Sequence, residues 1–480
     1  MPKPATRFVC TACGAAFARW AGQCAVCGAW NTLAEEAIPR PGTPGGGAAA
    51  QGGRAVPLVG LKGESEAPPR LASRIAELDR VLGGGFVPGS AVLVGGDPGI
   101  GKSTLLLQAA AALARAGRRV LYLSGEESVD QIRLRAARLA LAESPVALAA
   151  VSALKDLLAT LEAPAAPDLA IVDSIQTVWA EEAGAAPGTV AQVRAAGAEL
   201  IRAAKARGFA LVLVGHVTKD GALAGPRVLE HLVDAVLYLE GDRGHAFRIL
   251  RGVKNRFGAT DEIGVFEMTA RGLAEVANPS ALFLAERRGN VSGSAVFAGV
   301  EGTRPVLVEI QALVSRRVGE GPARRAVVGW DQGRLALLLA VLEARCGVSF
   351  ADRDVFLNVA GGLRVSEPAA DLAVAAALVS AVVDRPTEAD CVFFGEVGLS
   401  GEVRMVGQAE SRLKEAAKLG FATACLPKRV AGRGRALAVP EGLRLWEVGH
   451  LADLVAALAR SRRGGTRAAA EAEDGQAYDG

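Results

Sequence analysis

The chain is 480 residues long, half of them apolar, and carries a formal net charge of +3. That length accommodates about two to four domains, and so small a net charge argues by itself for neither a nucleic-acid nor a membrane partner. The N-terminal stretch MPKPATRFVCTACG has no apolar signal-type core, and no run of about 18 uninterrupted apolar residues follows. The expectation is a cytoplasmic protein with no membrane span. In that reducing compartment clustered thiols bind metal more readily than they pair as disulfides.

Residues 1–35 contain four of the seven cysteines, spaced Cys10-x2-Cys13-x10-Cys24-x2-Cys27. Two Cys-x2-Cys knuckles supply four thiolates, the donor set for tetrahedral Zn²⁺; a rubredoxin-type iron is the lesser alternative. Gly14 and Gly28 follow the second cysteine of each pair, where a knuckle uses glycine's backbone freedom. Such a closed site is structural. Trp20 and Trp30 are expected to pack on the small core, unless one is exposed to stack on a base. Cys346, Cys391 and Cys425 stand alone in apolar surroundings and read as buried structural thiols. Residues 36–70, including PRPGTPGGGAAAQGGR, read as a flexible linker.

From 71 to 276, short apolar strands alternate with helical stretches. The strands are SAVLVGG, RVLYLSGEE, LAIVDSI and FALVLVGH, and helices start near Ser103, Val129 and Val190. This is the pattern of a parallel α/β sheet. AVLYLEGD, AFRILRGVK and EIGVFEMT follow and read as appended antiparallel strands.

Gly96-Asp97-Pro98-Gly99-Ile100-Gly101-Lys102-Ser103, with Thr104 next, matches G-x-x-x-x-G-K-[ST] between a strand and an Ala/Leu-rich helix. Glycines let backbone N–H groups face phosphates, Lys102 reaches the β/γ oxygens and Ser103 ligates Mg²⁺. The substrate is therefore ATP or a close relative, with Mg²⁺. Asp173, closing the apolar strand LAIVD, is placed as the Walker B carboxylate that holds Mg²⁺ through water. Glu126 is favoured over Glu127 as the base that orients the attacking water. His216 ends the next strand, with Thr218, Lys219 and Asp220 beyond it, and is a candidate γ-phosphate sensor. Lys254-Asn255-Arg256-Phe257-Gly258, on its own terms, is a pair of cations at a strand end, the usual mark of a solvated surface.

From 277 to 460 runs a second α/β region with VLVEIQALVS, the helix GRLALLLAVLEARCG, DVFLNVAGG, an Ala-rich helix from Ala369, and CVFFGEVGLSGEVRMV. Residues 461–480 are a polar, Ala/Gly-rich tail expected to be disordered.

The four-cysteine segment, GGDPGIGKST, YLSGEES, IVDSIQT, GHVTKDG, LRGVKNRFGATDEIGVFEM and EPAADLAVAAAL together resemble the RadA (Sms) family of bacterial recombination and repair ATPases, over nearly the whole chain. The resemblance implies a RecA-like core related to DnaB-type helicases, an N-terminal zinc ribbon and a Lon-protease-like C-terminal domain. It also implies a homo-hexameric ring that moves on single-stranded DNA, processes branched DNA and assists a RecA-type recombinase. In such rings ATP lies between subunits, so the family motif gives Arg256 the role of a finger reaching the neighbour's γ-phosphate, with Lys254 a second cation directed to phosphate or to DNA. Channel loops would fall at about 178–196 and 218–227, where Arg194, Lys219 and Arg227 are weak DNA candidates. Arg316, Arg317, Arg324 and Arg325, and the helix bearing Arg412, Lys414 and Lys418, are further basic surfaces. Where Lon-type enzymes carry a serine nucleophile this chain has Ala369, and Glu410 falls nearest their lysine, so peptidase activity is not expected. Two other functions fit parts of the sequence, an ATP-dependent protease and an ATP-controlled clamp that does not translocate.

Overall fold

The computed structural model describes residues 6–10, 15–26, 28–37, 69–181, 184, 186–216, 228–241, 246–260, 262–284, 287, 291–317, 321–429 and 437–460. Most of the expected linker and all of the expected tail lie outside these residues. The chain divides into two compact units, Met1–Val276 and Ala277–Gly480.

The first unit begins with three short strands, β1 (Thr6–Cys10), β2 (Ala16–Phe17) and β3 (Leu33–Ala37), arranged β2-β1-β3. Helix α1 (Ala76–Leu82) leads into a nine-stranded sheet. Its elements are β4 (Ala91–Gly96), α2 (Lys102–Arg115), β5 (Val120–Ser124), α3 (Val129–Arg138), β6 (Ala147–Ala150), α4 (Leu154–Leu161), β7 (Leu169–Asp173), α5 (Val190–Arg207), β8 (Ala210–Val214), β9 (Ala235–Glu240), β10 (Phe247–Asn255), β11 (Ile263–Thr269) and β12 (Gly272–Glu275). The strand order is β12-β11-β10-β9-β4-β8-β7-β5-β6.

The six strands from β9 to β6 are mutually parallel, and β10 to β12 are antiparallel. β9 therefore corrects the sequence reading. It pairs with β4 in parallel on one side and with β10 in antiparallel on the other. Being near β10 in sequence says nothing of the partner on its far side.

Parallel strands buried on both faces read as continuous apolar runs, and β4, β5, β7 and β8 are buried at every residue. Side chains of one strand alternate between faces. Val92 and Val94 join α1, α2 and Ile132 of α3 in one core, while Ala91 and Leu93 join α4 and α5 in the other. From β4 the chain passes β8 and β7 to reach β5 and then β6, with α2 and α3 on one face. It returns through α4 and α5 on the other, as right-handed crossovers require when the direction of travel reverses.

The second unit comprises α6 (Pro279–Phe283), β13 (Ser294–Glu301), β14 (Arg304–Arg316), β15 (Arg325–Val328), α7 (Gln332–Cys346), β16 (Arg353–Val359), α8 (Asp371–Val383), β17 (Cys391–Phe393), β18 (Glu396–Val397), β19 (Val403–Arg404), α9 (Ala409–Lys418), β20 (Thr423–Pro427), β21 (Arg444–Val448) and α10 (Leu451–Arg460). Its main sheet is mixed, in the order β15-β16-β14-β13-β17-β20-β21. Helix α8 is apolar nearly all round, and its residues 371–380 are buried, as expected of a central helix.

Candidate nucleotide site

The register of the sheet aligns four strand ends. Val94 of β4 lies beside Val214 of β8, Val172 of β7 beside Leu213, and Ser124 of β5 beside Asp173. The segments that follow these ends carry Gly96–Ser103, His216, Asp173 and Glu126, so residues 120 positions apart meet at one edge. This is the carboxyl edge of a parallel sheet, where the strand order leaves a crevice.

Gly96 takes φ +146°, and a Cβ there would come within 2.5 Å of the Leu239 carbonyl oxygen, so only glycine fits. The loop Asp97–Gly101 turns directly into α2 at Lys102. Ile100 of the loop is buried and its carbonyl accepts from the Arg248 guanidinium at 3.2 Å. The Lys102 ammonium is buried and donates to the carbonyls of Gly96 (2.8 Å) and Asp97 (3.0 Å). Burial pulls its pKa down to about 8 against the opposing pull of Asp173, Glu126 and Asp97.

Lys102 also lies 3.1 Å from His216 Nδ1, and His216 Nε2 lies 3.1 Å from Glu126 Oε1. An ammonium only donates, so Nδ1 is the acceptor and the ring proton sits on Nε2, pointing at Glu126. Ser174 Oγ donates to the same Glu126 oxygen. The hydrogen bond from His216, with that from Ser174 and the Lys102 charge, overcomes partial burial and holds the Glu126 carboxyl at about 2. Gln176 Nε2 anchors the His216 carbonyl at 3.2 Å. Glu127 is turned away and held by Arg135. Asp173 is buried and accepts the Tyr122 hydroxyl at 2.5 Å. Sequence reading named Lys102, Ser103, Glu126, Asp173 and His216 but passed over Tyr122, Ser174, Gln176 and Arg248. Each of these is recognised only through a strand pairing or a long-range contact.

The KNRFG motif lies at the opposite edge. β10 runs antiparallel to β9, so Lys254 pairs with Val236 and Asn255 with Ala235, at the amino end of β9, whereas Gly96 pairs with Leu239. Four residues of strand separate the two levels, roughly 13 Å of rise. Arg256 is exposed and pairs with buried Asp234 (3.1 Å), whose other oxygen accepts from Ala91 N–H. Lys254 is turned inward and donates to the carbonyls of Glu230 (2.7 Å) and Val233 (2.8 Å). Desolvation, with help from Arg256, lowers its pKa. Asn255 bonds the Phe257 N–H and the Val81 carbonyl. A Cβ on Gly258 would come 3.2 Å from Gly83 Cα, so the turn docks closely on the end of α1 and any larger residue would have to push that backbone aside.

Of the DNA candidates, Arg194 is exposed on α5, while Lys219 and Arg227 lie outside the described residues. In the second unit Arg325 is committed to backbone, donating to the carbonyls of Phe350 and Arg353. Arg412 corrects the sequence reading. It is buried, not surface, and is ion-paired to Glu367, bonded to the Ala298 carbonyl at 2.7 Å and stacked over Phe394. Ala369 is buried just before α8. Glu410 accepts from Ala438 N–H at 3.3 Å.

In the N-terminal strands, Cys10 N–H bonds the Ala15 carbonyl and Cys24 N–H the Ala29 carbonyl, both at 2.9 Å. These are two copies of one i to i+5 loop. Both thiols are buried in a core with Leu33, Phe8 and Phe17, and Gly28 has φ +71°. Cys13 and Cys27 lie outside the described residues. The repeated turns and buried thiols fit a thiolate metal site. Trp20 and Trp30 are 57% and 69% exposed, contrary to the expected packing, because Cys10, Cys24 and Leu33 already fill the small core.

Three family models match the chain: a rubredoxin metal binding domain over residues 8–35, an AAA domain over 64–222, and subunit ChlI of Mg-chelatase over 335–430. The DNA repair protein RadA of Brucella abortus is 59% identical, with 97% of this chain and 100% of that protein covered. Those of Rickettsia bellii and Pseudomonas aeruginosa are 50% and 51% identical, covering 88% and 95% of this chain and 93% and 100% of theirs. Among solved structures the RadB recombinase aligns over 43% of this chain and 99% of its own, with 22% identity and a TM-score of 0.34. Among the described residues no helix is long and apolar enough to cross a membrane.

Proposed function

The chain belongs to the RadA family of DNA repair proteins, and from that membership we propose that it is a DNA-dependent ATPase of recombination and repair. It works in the cytoplasm as a hexameric, helicase-like motor on single-stranded DNA, processing branched intermediates beside a RecA-type recombinase. The observation that carries this reading is the convergence of Lys102, Asp173, Glu126 and His216 on one edge of a RecA-like sheet, with Arg256 exposed on the other.

Ser103 and Asp173 would hold Mg²⁺, which when bound neutralises charge on the β- and γ-phosphates. Backbone N–H groups of residues 99–103, beyond Pro98, which has none, and the amino end of α2 bind the phosphates. Lys102 adds its charge to the β/γ oxygens. Glu126, ionised because His216 and Ser174 donate to it, orients the attacking water and takes its proton. His216 bridges Lys102 and Glu126 and so reports phosphate occupancy to the base. Arg256 lies too far from its own loop to touch the same nucleotide. It acts on the neighbour's, where a planar, permanently charged fork stabilises the transition state. Lys254, tied to carbonyls, positions that turn. Zn²⁺ would be held by Cys10, Cys13, Cys24 and Cys27 and fix the N-terminal module. The Lon-like second unit serves assembly, because alanine at 369 cannot act as a nucleophile.

The test is hydrolysis and branch migration by the wild type and Lys102→Ala, each with and without single-stranded DNA. Hydrolysis stimulated by DNA and lost in Lys102→Ala is expected. Hydrolysis indifferent to DNA would favour the non-translocating clamp, and ATP-stimulated casein cleavage would restore the protease.

A further inference from the structure

Tyr122 is a fully buried polar side chain beneath the nucleotide site. It is completely buried in the core formed by α1, α2 and one face of the sheet. A phenol at such a position needs a hydrogen-bond partner, and this one reaches a residue read above as a Mg²⁺ ligand. Its hydroxyl lies 2.5 Å from Asp173 Oδ2. Asp173 is a carboxylate and can only accept, so the phenol proton points at Oδ2.

We propose that Tyr122 is a positioning residue for the divalent cation, acting through Asp173. With Oδ2 tied down from beneath, Asp173 has one rotamer and presents Oδ1 to the ion's water shell. Groups that orient metal ligands in this way typically change affinity about 10–100-fold when removed. The ring itself belongs to the same buried core as α2 and pairs across strands with Ile171, so the packing and the hydroxyl are separable functions of the same residue.

This inference rests on the assignment of Ser103 and Asp173 as the Mg²⁺ site and not on hydrolysis, so it can fail separately. Tyr122→Phe removes one oxygen and leaves the ring. Binding of a fluorescent ADP analogue is measured first in EDTA and then over a Mg²⁺ titration, beside a thermal melt. The expected result is unchanged affinity in EDTA and a rise of about tenfold in the Mg²⁺ needed for half-maximal tightening. Identical Mg²⁺ dependence in wild type and Tyr122→Phe would overturn the proposal. So would equal loss of affinity with and without Mg²⁺, which marks a purely structural role. If Tyr122→Phe melts too low to assay, Tyr122→Met, which also removes the hydroxyl and keeps an apolar side chain in the core, gives a second reading. The same rise in Mg²⁺ requirement is expected, and no rise there would equally overturn the proposal. Wild-type protein that binds Mg²⁺–nucleotide but never hydrolyses it would defeat the proposed function and leave this proposal standing.

Discussion

The two edges of the ATPase sheet are built on opposite plans. At the carboxyl edge, side chains bond mainly to one another. Lys102, His216, Glu126 and Ser174 form one chain, and Tyr122 with Asp173 forms another. Removing any member leaves a partner stranded in a partly or fully buried place. At the amino edge Lys254, Asn255 and the backbone of Phe257 are tied to carbonyls and amides, and they serve to present one exposed guanidinium, that of Arg256. A self-contained network can do chemistry within its own chain. An exposed arginine in the turn that ends β10, about 13 Å of rise from its own phosphate loop, is the proposed contact to a second molecule.

If that contrast is right, damage at the two edges has different signatures. The largest effect is expected of Arg256→Ala. It should cost about 10³-fold or more in DNA-stimulated turnover while nucleotide affinity holds and the melting temperature falls only modestly, since the arginine side of the pair is exposed and buried Asp234 keeps the Ala91 N–H. Glu126→Gln should cost about 10²–10⁴-fold in turnover with ATP still bound, seen by single-turnover hydrolysis beside equilibrium binding. Loss of ATP binding in that variant would place Glu126 outside the chemistry.

His216→Ala should produce a smaller change with a definite sign. In the folded wild type the Glu126 carboxyl sits at about 2, below its ordinary value of 4.5, chiefly because His216 donates to it. Its contribution to stability is therefore present above pH about 4.5 and is lost as pH falls through about 2. Without His216 the carboxyl moves up towards its ordinary value, so His216→Ala should melt lower than wild type at pH 5 but lose less stability between pH 5 and pH 3, the two profiles converging as pH falls. Coincident curves would contradict the hydrogen bond. Glu127→Gln should matter least, changing turnover by no more than about fivefold, because its partner is Arg135 and not the nucleotide. A turnover loss as large as that of Glu126→Gln would reverse the choice between the two glutamates.

How much of this was visible beforehand depended on the range of the contacts. The phosphate loop is a local device in which glycines, lysine and serine are consecutive, so sequence alone locates it between β4 and α2. Asp173 and His216 were visible because a fully apolar strand delivers each of them. Tyr122 was hidden, because its tyrosine looks like any apolar strand residue until β5 is paired with β7, 51 positions away. Strand β6 and helix α4 were missed for a related reason. Ala147–Ala150 is a short, partly exposed edge strand of alanines and leucine, without the alternation that marks a strand. Arg412 misled in the opposite sense. A cation in a charged helix reads as solvated, and only the tertiary fold puts Glu367 and Phe394 around it. The KNRFG turn needed both levels, since its composition says surface and only the antiparallel run of β10 says which edge.

The claim that one chain completes the site of another is tested most directly by mixing. Lys102→Ala subunits lack a working phosphate loop but keep Arg256, and Arg256→Ala subunits have the reverse defect. Each alone should be nearly inactive with single-stranded DNA. Combined over a range of ratios, turnover should recover in part and peak at an intermediate ratio, because some interfaces then hold an intact loop beside an intact arginine. No recovery at any ratio, with mixed assemblies shown to form, would contradict the account.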